Sequence, residues 1–204
     1  GGLHTVWEHR ANNPRYAKPS RIVENALLRY DVSRKVCEHM AAMPTRRSHA
    51  SMTAVGQKCF VIGGITVNRN TRSSVVECYD VDNDSWSIRS GMHCVRSSHA
   101  AVAVKGRIFV AGGHDMNGQD QNAAECYDPQ QDLWETIASL RYSRSNLAAV
   151  PCNDSVMVLG GFARGYGHQS SCEVYDVSLL HWTWGPRLCK PGSGLSAVSF
   201  NVIW

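Results

Sequence analysis

Three times the chain writes Gly-Gly, then Tyr-Asp about fifteen residues later, then a Trp seven residues after the Tyr. The copies are Gly63-Gly64, Tyr79-Asp80 and Trp86; Gly112-Gly113, Tyr127-Asp128 and Trp134; and Gly160-Gly161, Tyr175-Asp176 and Trp182. A fourth, degenerate copy opens the chain with Gly1-Gly2 and Tyr30-Asp31, and Cys37 stands where the Trp belongs. The Tyr-Asp pairs recur at intervals of 49, 48 and 48 residues. Such a period means one supersecondary unit repeated, and a period near fifty points to propeller blades.

One repeat reads as four antiparallel strands with a turn at every joint. Ser98–Val104 alternates as a first strand, Lys105-Gly106 is a tight turn, and Arg107–Ala111 is its hairpin partner, ended by the Gly-Gly. A polar loop at Gly118–Asn122 precedes a third strand, Ala123–Tyr127, and a short fourth strand holds Trp134. No window sustains a 3.6-residue period, so helices are expected to be nearly absent. The recurrent Tyr and Trp are expected to fill the wedge between neighbouring blades, because rings of ~200 Å² are the largest apolar groups available for it. The Asp after each Tyr reads as a turn initiator.

These registers resemble the kelch motif over nearly the whole chain. The resemblance implies an all-β kelch β-propeller with about four blades present. They comprise a half blade at 1–42, blades at about 43–92, 93–140 and 141–188, and a half blade at 189–204 whose Leu195–Trp204 reads as a first strand and the start of a second. Family members usually close with six blades, which at this period takes roughly ninety more residues. A fragment of a six-bladed domain is therefore expected, with a closed four-blade ring as the alternative.

Of the 204 residues, 43% are hydrophobic, enough for a sizeable core, and the formal charge of +4 is spread along the chain. Spread charge is not the clustered Lys/Arg footprint of a nucleic-acid binder. Runs such as Ile108–Ala111 are too short to cross a bilayer, so neither nucleic acid nor membrane is an expected partner. The eight cysteines show no Cys-x-x-Cys spacing. Cys78 and Cys126 precede the Tyr in two repeats, places for a small buried hydrophobe. Reduced, structural thiols favour an intracellular, cytoplasmic setting.

Repeat positions explain fold, so function is sought in what varies. The loops leading into the first strands are Pro44–His49, Cys94–His99 and Arg141–Asn146, each pairing Arg with Ser or Asn. In kelch-like proteins that bind peptides, such Arg and Ser line the propeller mouth. The resemblance carries that role to Arg46, Arg47, Ser48, Arg96, Ser98, Arg144, Ser145 and Asn146. A guanidinium fork suits a carboxylate. In the last copy, Gly192 replaces the Arg. The loops after the Gly-Gly differ in chemistry, as recognition loops on a constant scaffold do. They supply Arg69, Arg72, His114, Phe162, Arg164 and Tyr166 as further candidates. The first blade's version is longer and includes the basic, polar Glu8–Lys18, read as a partner-contacting flap or a disordered segment.

A catalytic reading finds little. His49 and His99 are assigned one repeat position, where satisfying local backbone is the expected role. No His-x-Glu, His-x-x-x-His, phosphate-cradling loop or nucleophile elbow occurs, so no enzyme activity, cofactor or metal is expected. Kelch domains of this type commonly follow BTB and BACK segments and recruit a cullin-based ubiquitin ligase. The resemblance thus implies a protein-interaction module: the substrate-recognition propeller of such an adaptor, taking a short acidic or polar peptide, with the cullin held by a domain outside this chain. An actin-binding, cytoskeletal role is the alternative.

Overall fold

The computed structural model describes residues 3–6, 20–23, 25–67 and 71–199. The chain opens with two antiparallel hairpins, β1 (Leu3–Val6) with β2 (Ser20–Val23), and β3 (Leu27–Asp31) with β4 (Val36–Met40). In the first whole blade the two-residue β5 (Arg47–Ser48) leads into β6 (Ser51–Val55) and β7 (Lys58–Ile62). The small pair β8 (Ile65–Thr66) and β9 (Thr71–Arg72) follows, and β10 (Val76–Asp80) and β11 (Ser85–Arg89) finish the sheet. The second blade is β12 (Ala100–Val104), β13 (Arg107–Ala111), β14 (Ala124–Asp128) and β15 (Leu133–Ile137). The third is β16 (Ala148–Cys152), β17 (Ser155–Leu159), the small pair β18 (Phe162–Ala163) and β19 (Gly167–His168), then β20 (Cys172–Asp176) and β21 (His181–Trp184).

Each blade is thus a four-stranded antiparallel meander with its strands in chain order, and no helix occurs among the described residues. The innermost strands β6, β12 and β16 are neighbours, as radial wedges require. The first strand of the second blade starts at Ala100, not Ser98, because Ser98 takes a left-handed φ of 54° that a strand cannot continue. Residues 195–199 carry no strand; a second strand to pair with them would fall at 200–204, which lie outside the described residues.

The Tyr-Asp-to-Trp spacing is the geometry of the outer hairpin. Tyr79 pairs directly across from Trp86, Tyr127 from Trp134 and Tyr175 from Trp182, with ring centroids 5.2, 4.9 and 5.1 Å apart. Tyr30 faces Cys37 in the same register. Between them, Asp31, Asp80, Asp128 and Asp176 each accept two backbone N–H bonds from residues two and three ahead, closing the turn. Each indole N–H reaches back to the chain leaving the preceding blade. Trp86 donates to Ala41 at 2.7 Å, Trp134 to Ser90 at 2.8 Å and Trp182 to Ala138 at 2.6 Å. The Trp therefore bolts one blade to the last.

Apolar residues from adjacent blades close the wedges. Phe60, Ile62, Val76 and Cys78 of the first blade pack with Ile108, Val110, Tyr127 and Trp134 of the second. Val102, Phe109, Ala124 and Cys126 of the second pack with Val156, Val158, Tyr175 and Trp182 of the third. Cys78, Cys126 and Cys172 are each 1% exposed.

His49 and His99 do not share a position. His49, Ser98 and Asn146 share the left-handed conformation, with φ of 56°, 54° and 52°, so His49 aligns with Ser98. His99 instead aligns with Ala50 and Leu147, which pack on the Gly doublets in the same way. The repeat is 49 residues here, and the shared His letter suggested 50. His99 is 5% exposed and neither ring nitrogen has a hydrogen-bond partner among the described residues. Burial, reinforced by the Arg96 charge, holds its pKa well below the ordinary value. A histidine depressed in the fold favours the native state fully above the unfolded value of about 6.5 and loses that advantage as pH falls below it, by up to ~1.4 kcal/mol per pH unit. Urea unfolding at pH 7.5 and 5.5 should therefore show a smaller acid-side loss for His99→Leu, the residue the third blade uses at this register. Equal losses would contradict a neutral buried imidazole.

Candidate functional site

The lead-in loops and the loops after each Gly-Gly meet at one end of the blades. Backbone bonds tie them in a chain around the inner rim: Ser98 N–H to His49 O, Asn146 N–H to Ser98 O, and Gly194 N–H to Asn146 O, at 2.9, 2.8 and 2.8 Å. These four residues share the left-handed conformation, Gly194 with φ 65°. The rim is thereby fixed in backbone while its side chains vary.

Arg47, Arg96 and Arg144 do not face the mouth. All three are 0% exposed. In each blade one guanidinium nitrogen donates to two carbonyls: Gly63 and Val75, Gly112 and Ala123, or Gly160 and Ser171, at 2.8–3.0 Å. The other nitrogen pairs with Glu77 at 3.1 Å, Glu125 at 2.5 Å or Glu173 at 2.8 Å. The glutamates return to the lead-in loop, accepting from Thr45 Oγ1, from the N–H groups of His93 and Cys94, or from Arg141 N–H. Burial pulls the Arg47 and Arg144 pKa values down and the facing carboxylates oppose it; a guanidinium stays cationic throughout. These arginines are internal struts joining a lead-in loop to the second and third strands of its own blade. The expectation that they grip a ligand is corrected: a side chain with no exposed surface, and with its terminal nitrogens already turned to its own blade's carbonyls and glutamate, offers nothing to a partner.

Ser48 and Ser145 go with them. They are 8% and 0% exposed, and their hydroxyls meet His49 Nδ1 at 3.0 Å and Asn146 Nδ2 at 3.4 Å. Ser98 and Asn146 sit half-buried on the inner rim, and Arg46 is exposed further out. Arg69 lies outside the described residues, as does the stretch Glu8–Lys18.

The loops after the Gly-Gly are brought together. Arg72 Nε donates to Ser97 Oγ at 3.0 Å, tying the first blade to the second. Arg164 of the third blade donates its backbone N–H to Asp120 Oδ2 at 2.8 Å and its guanidinium to Gln119 Oε1 at 3.1 Å. His114 Nε2 lies 3.3 Å from Asp120 Oδ1. Burial lowers the His114 pKa; Asp120 opposes this, and the positive charges of Arg72 and Arg164 add to it. Two blades thus contribute guanidinium groups, and the second blade an imidazole, to one patch. Phe162 packs edge-on to His168 with centroids 5.6 Å apart, and Tyr166 is 79% exposed. Sequence reasoning passed over Arg141, Tyr142, Trp184 and Arg187, which join Arg164 and Tyr166 around one cleft. The signal available was that Trp184 is a tryptophan outside the repeat register. Among the described residues no group of His, Cys, Asp or Glu is placed to hold a metal ion, and no helix is long and apolar enough to cross a membrane.

The chain resembles known proteins over about half its length. It is 33% identical over 98 residues to an F-box/kelch-repeat protein of Arabidopsis thaliana, covering 47% of this chain and 23% of that protein. Kelch-like protein 36 of Rattus norvegicus is 32% identical over 91 residues, covering 45% of this chain and 14% of the relative. Kelch repeat and BTB domain-containing protein 12 of Homo sapiens is 26% identical over 111 residues, covering 51% and 18%. The matches span less than a quarter of the length of these relatives. The solved structure of YjhT superposes with a TM-score of 0.69 at 17% identity, covering 82% of this chain and 60% of that one, and shows the propeller fold. Residues 19–161, with their repeat-register glycines, aromatics and Arg–Glu struts, match the KLHDC2/KLHL20/DRC7 Kelch-repeats domain, and the chain belongs to that kelch-repeat family.

Proposed function

We propose that the chain is a protein-recognition propeller that receives a short acidic or polar peptide on its loop-bearing end, as the cytoplasmic substrate-binding part of a cullin-based ubiquitin ligase adaptor. The observation that carries this reading is the cationic patch itself. Arg72 and Arg164 come from the first and third blades and occupy loop positions that differ from blade to blade, yet hydrogen bonds fix them, Arg72 on Ser97 and Arg164 on Gln119 and Asp120, with His114 of the second blade 3.3 Å from Asp120. A fixed scaffold presenting variable, positively charged loops is suited to selecting a partner by charge complementarity. With the buried arginines removed, the contact set becomes Arg46, Arg72, Ser98, His114, Asn146, Phe162, Arg164 and Tyr166. The adaptor role draws on relatives whose names carry F-box and BTB domains.

Affinity capture with the full-length protein, read by mass spectrometry, tests both parts. Cullin subunits should co-purify with wild type and with Arg72→Glu/Arg164→Glu alike, whereas the substrate band should fall at least tenfold in the variant, the loss expected for reversing charges in a desolvated contact. Recovery of actin without cullin subunits would replace the adaptor reading with the cytoskeletal one.

A further inference from the structure

A cleft of about 760 Å³ opens between the second and third blades, off the propeller axis, in the size range of ligand sites. Its walls carry three arginines, Arg141, Arg164 and Arg187, and three aromatics, Tyr142, Tyr166 and Trp184. The aromatics are 49%, 79% and 52% exposed and form a continuous series, with Tyr142 centred 5.8 Å from Trp184 and 6.4 Å from Tyr166. Exposed rings in a row on a folded surface are unusual, and Tyr, Trp and Arg are the residue types that concentrate binding energy at interfaces.

The charge around the cleft is unbalanced. Arg141 stacks over Trp184 at 5.3 Å, Arg164 donates only to a neutral amide, and Arg187 makes no ion pair or hydrogen bond among the described residues. The nearby carboxylates are already engaged. Glu173 is buried against Arg144, and Asp120 serves the Arg164 backbone and His114. Three guanidinium groups therefore line the cleft against one carboxylate, that of Asp120, which is 7% exposed and already accepts the Arg164 backbone N–H. A cationic ligand, the usual tenant of an aromatic cage, is repelled by this set. An anionic one is drawn in.

We infer that this cleft is a binding site for an acidic peptide segment carrying a large aromatic or aliphatic anchor. The anchor packs on the Trp184–Tyr142–Tyr166 row, and flanking carboxylates take the Arg141, Arg164 and Arg187 forks. The inference rests on the reading of the chain as a peptide-recognition module, and places the grip between two blades, in a cleft that shares Asp120, Arg164 and Tyr166 with the axial patch and leaves out Arg72 and His114.

A random peptide library displayed on phage and selected on the immobilised chain tests it, followed by fluorescence anisotropy with the best clones as labelled synthetic peptides. Selected peptides should join Asp or Glu to Trp, Tyr, Phe or Leu. Arg141→Glu/Arg187→Glu should weaken them more than tenfold, and Trp184→Ala about tenfold, with melting temperatures unchanged because these side chains are exposed. Arg72→Glu, on the axial patch, should leave affinity within twofold. Selection of no binders, or of binders without acidic residues, overturns the inference. Binders lost with Arg72→Glu and indifferent to Arg141→Glu/Arg187→Glu overturn it too, while leaving the axial reading intact.

Discussion

Arg96→Ala is expected to destabilise the fold by about 3–5 kcal/mol, the range for removing one partner of a buried ion pair. The carboxylate of Glu125, 1% exposed, would be left without its countercharge, and the carbonyls of Gly112 and Ala123 would lose a shared donor. For a chain of this size that corresponds to a fall of roughly 6–20 °C in melting temperature. Urea unfolding and calorimetry check it. The double variant Arg96→Met/Glu125→Gln should recover much of the loss. It removes both charges at similar volume and keeps an amide oxygen to accept from the N–H groups of His93 and Cys94. Arg144→Ala should behave alike, since Glu173 is equally buried. A loss under ~1 kcal/mol for either arginine, combined with loss of peptide binding, would return these side chains to the mouth and end the strut assignment.

The blades were legible because their signals are local. Period, Gly-Gly, Tyr-Asp and Trp each report a turn or a ring whose environment repeats, and Lys105-Gly106 sets the hairpin by two residues alone. The Arg–Glu struts were legible too, by a rule the sequence reading applied to aromatics and not to charges. Arg47, Arg96 and Arg144 recur in register, and so do Glu77, Glu125 and Glu173, each two residues before the Tyr. The Arg-to-Glu separations are 30, 29 and 29 residues. A cation and an anion that repeat together at constant separation are scaffold for the same reason that a repeating Trp is. Charge alone suggested a ligand; invariance within the chain says otherwise. The cleft of Arg141, Tyr142, Trp184 and Arg187 was harder. It assembles from two blades across a distance no local pattern encodes, and its residues carry no repeat signature. The off-by-one pairing of His49 with His99 has a similar origin. Letter identity outweighed the 49-residue step, and the left-handed backbone of Ser98 and the packing of His99 on Gly113 reveal the true register.

Gly113→Ala should cost about 3 kcal/mol or more, through two effects that can be separated. The first is conformational. Gly113 has φ +94°, and a non-glycine residue there pays of order 1–2 kcal/mol. The second is crowding, because a Cβ would lie 2.6 Å from the carbonyl oxygen of Ser97 and 2.7 Å from Cβ of His99. Gly112, at φ +66°, is as tightly held, its Cβ falling 2.6 Å from the Arg144 carbonyl oxygen that anchors the next blade's lead-in loop. Neither contact can yield cheaply, since both carbonyls already accept inter-loop bonds, from His114 N–H and Gly113 N–H at 2.8 Å each. Gly106 supplies the control. It has φ +76° in the hairpin turn and nothing within 4 Å of its Cβ position, so Gly106→Ala should show the conformational cost alone. The difference in unfolding free energy between Gly113→Ala and Gly106→Ala then measures how closely successive blades are pressed together at the rim. Equal costs would mean that the lead-in loops move aside freely, and a rim that soft could not hold Arg72, His114 and Arg164 in a fixed constellation.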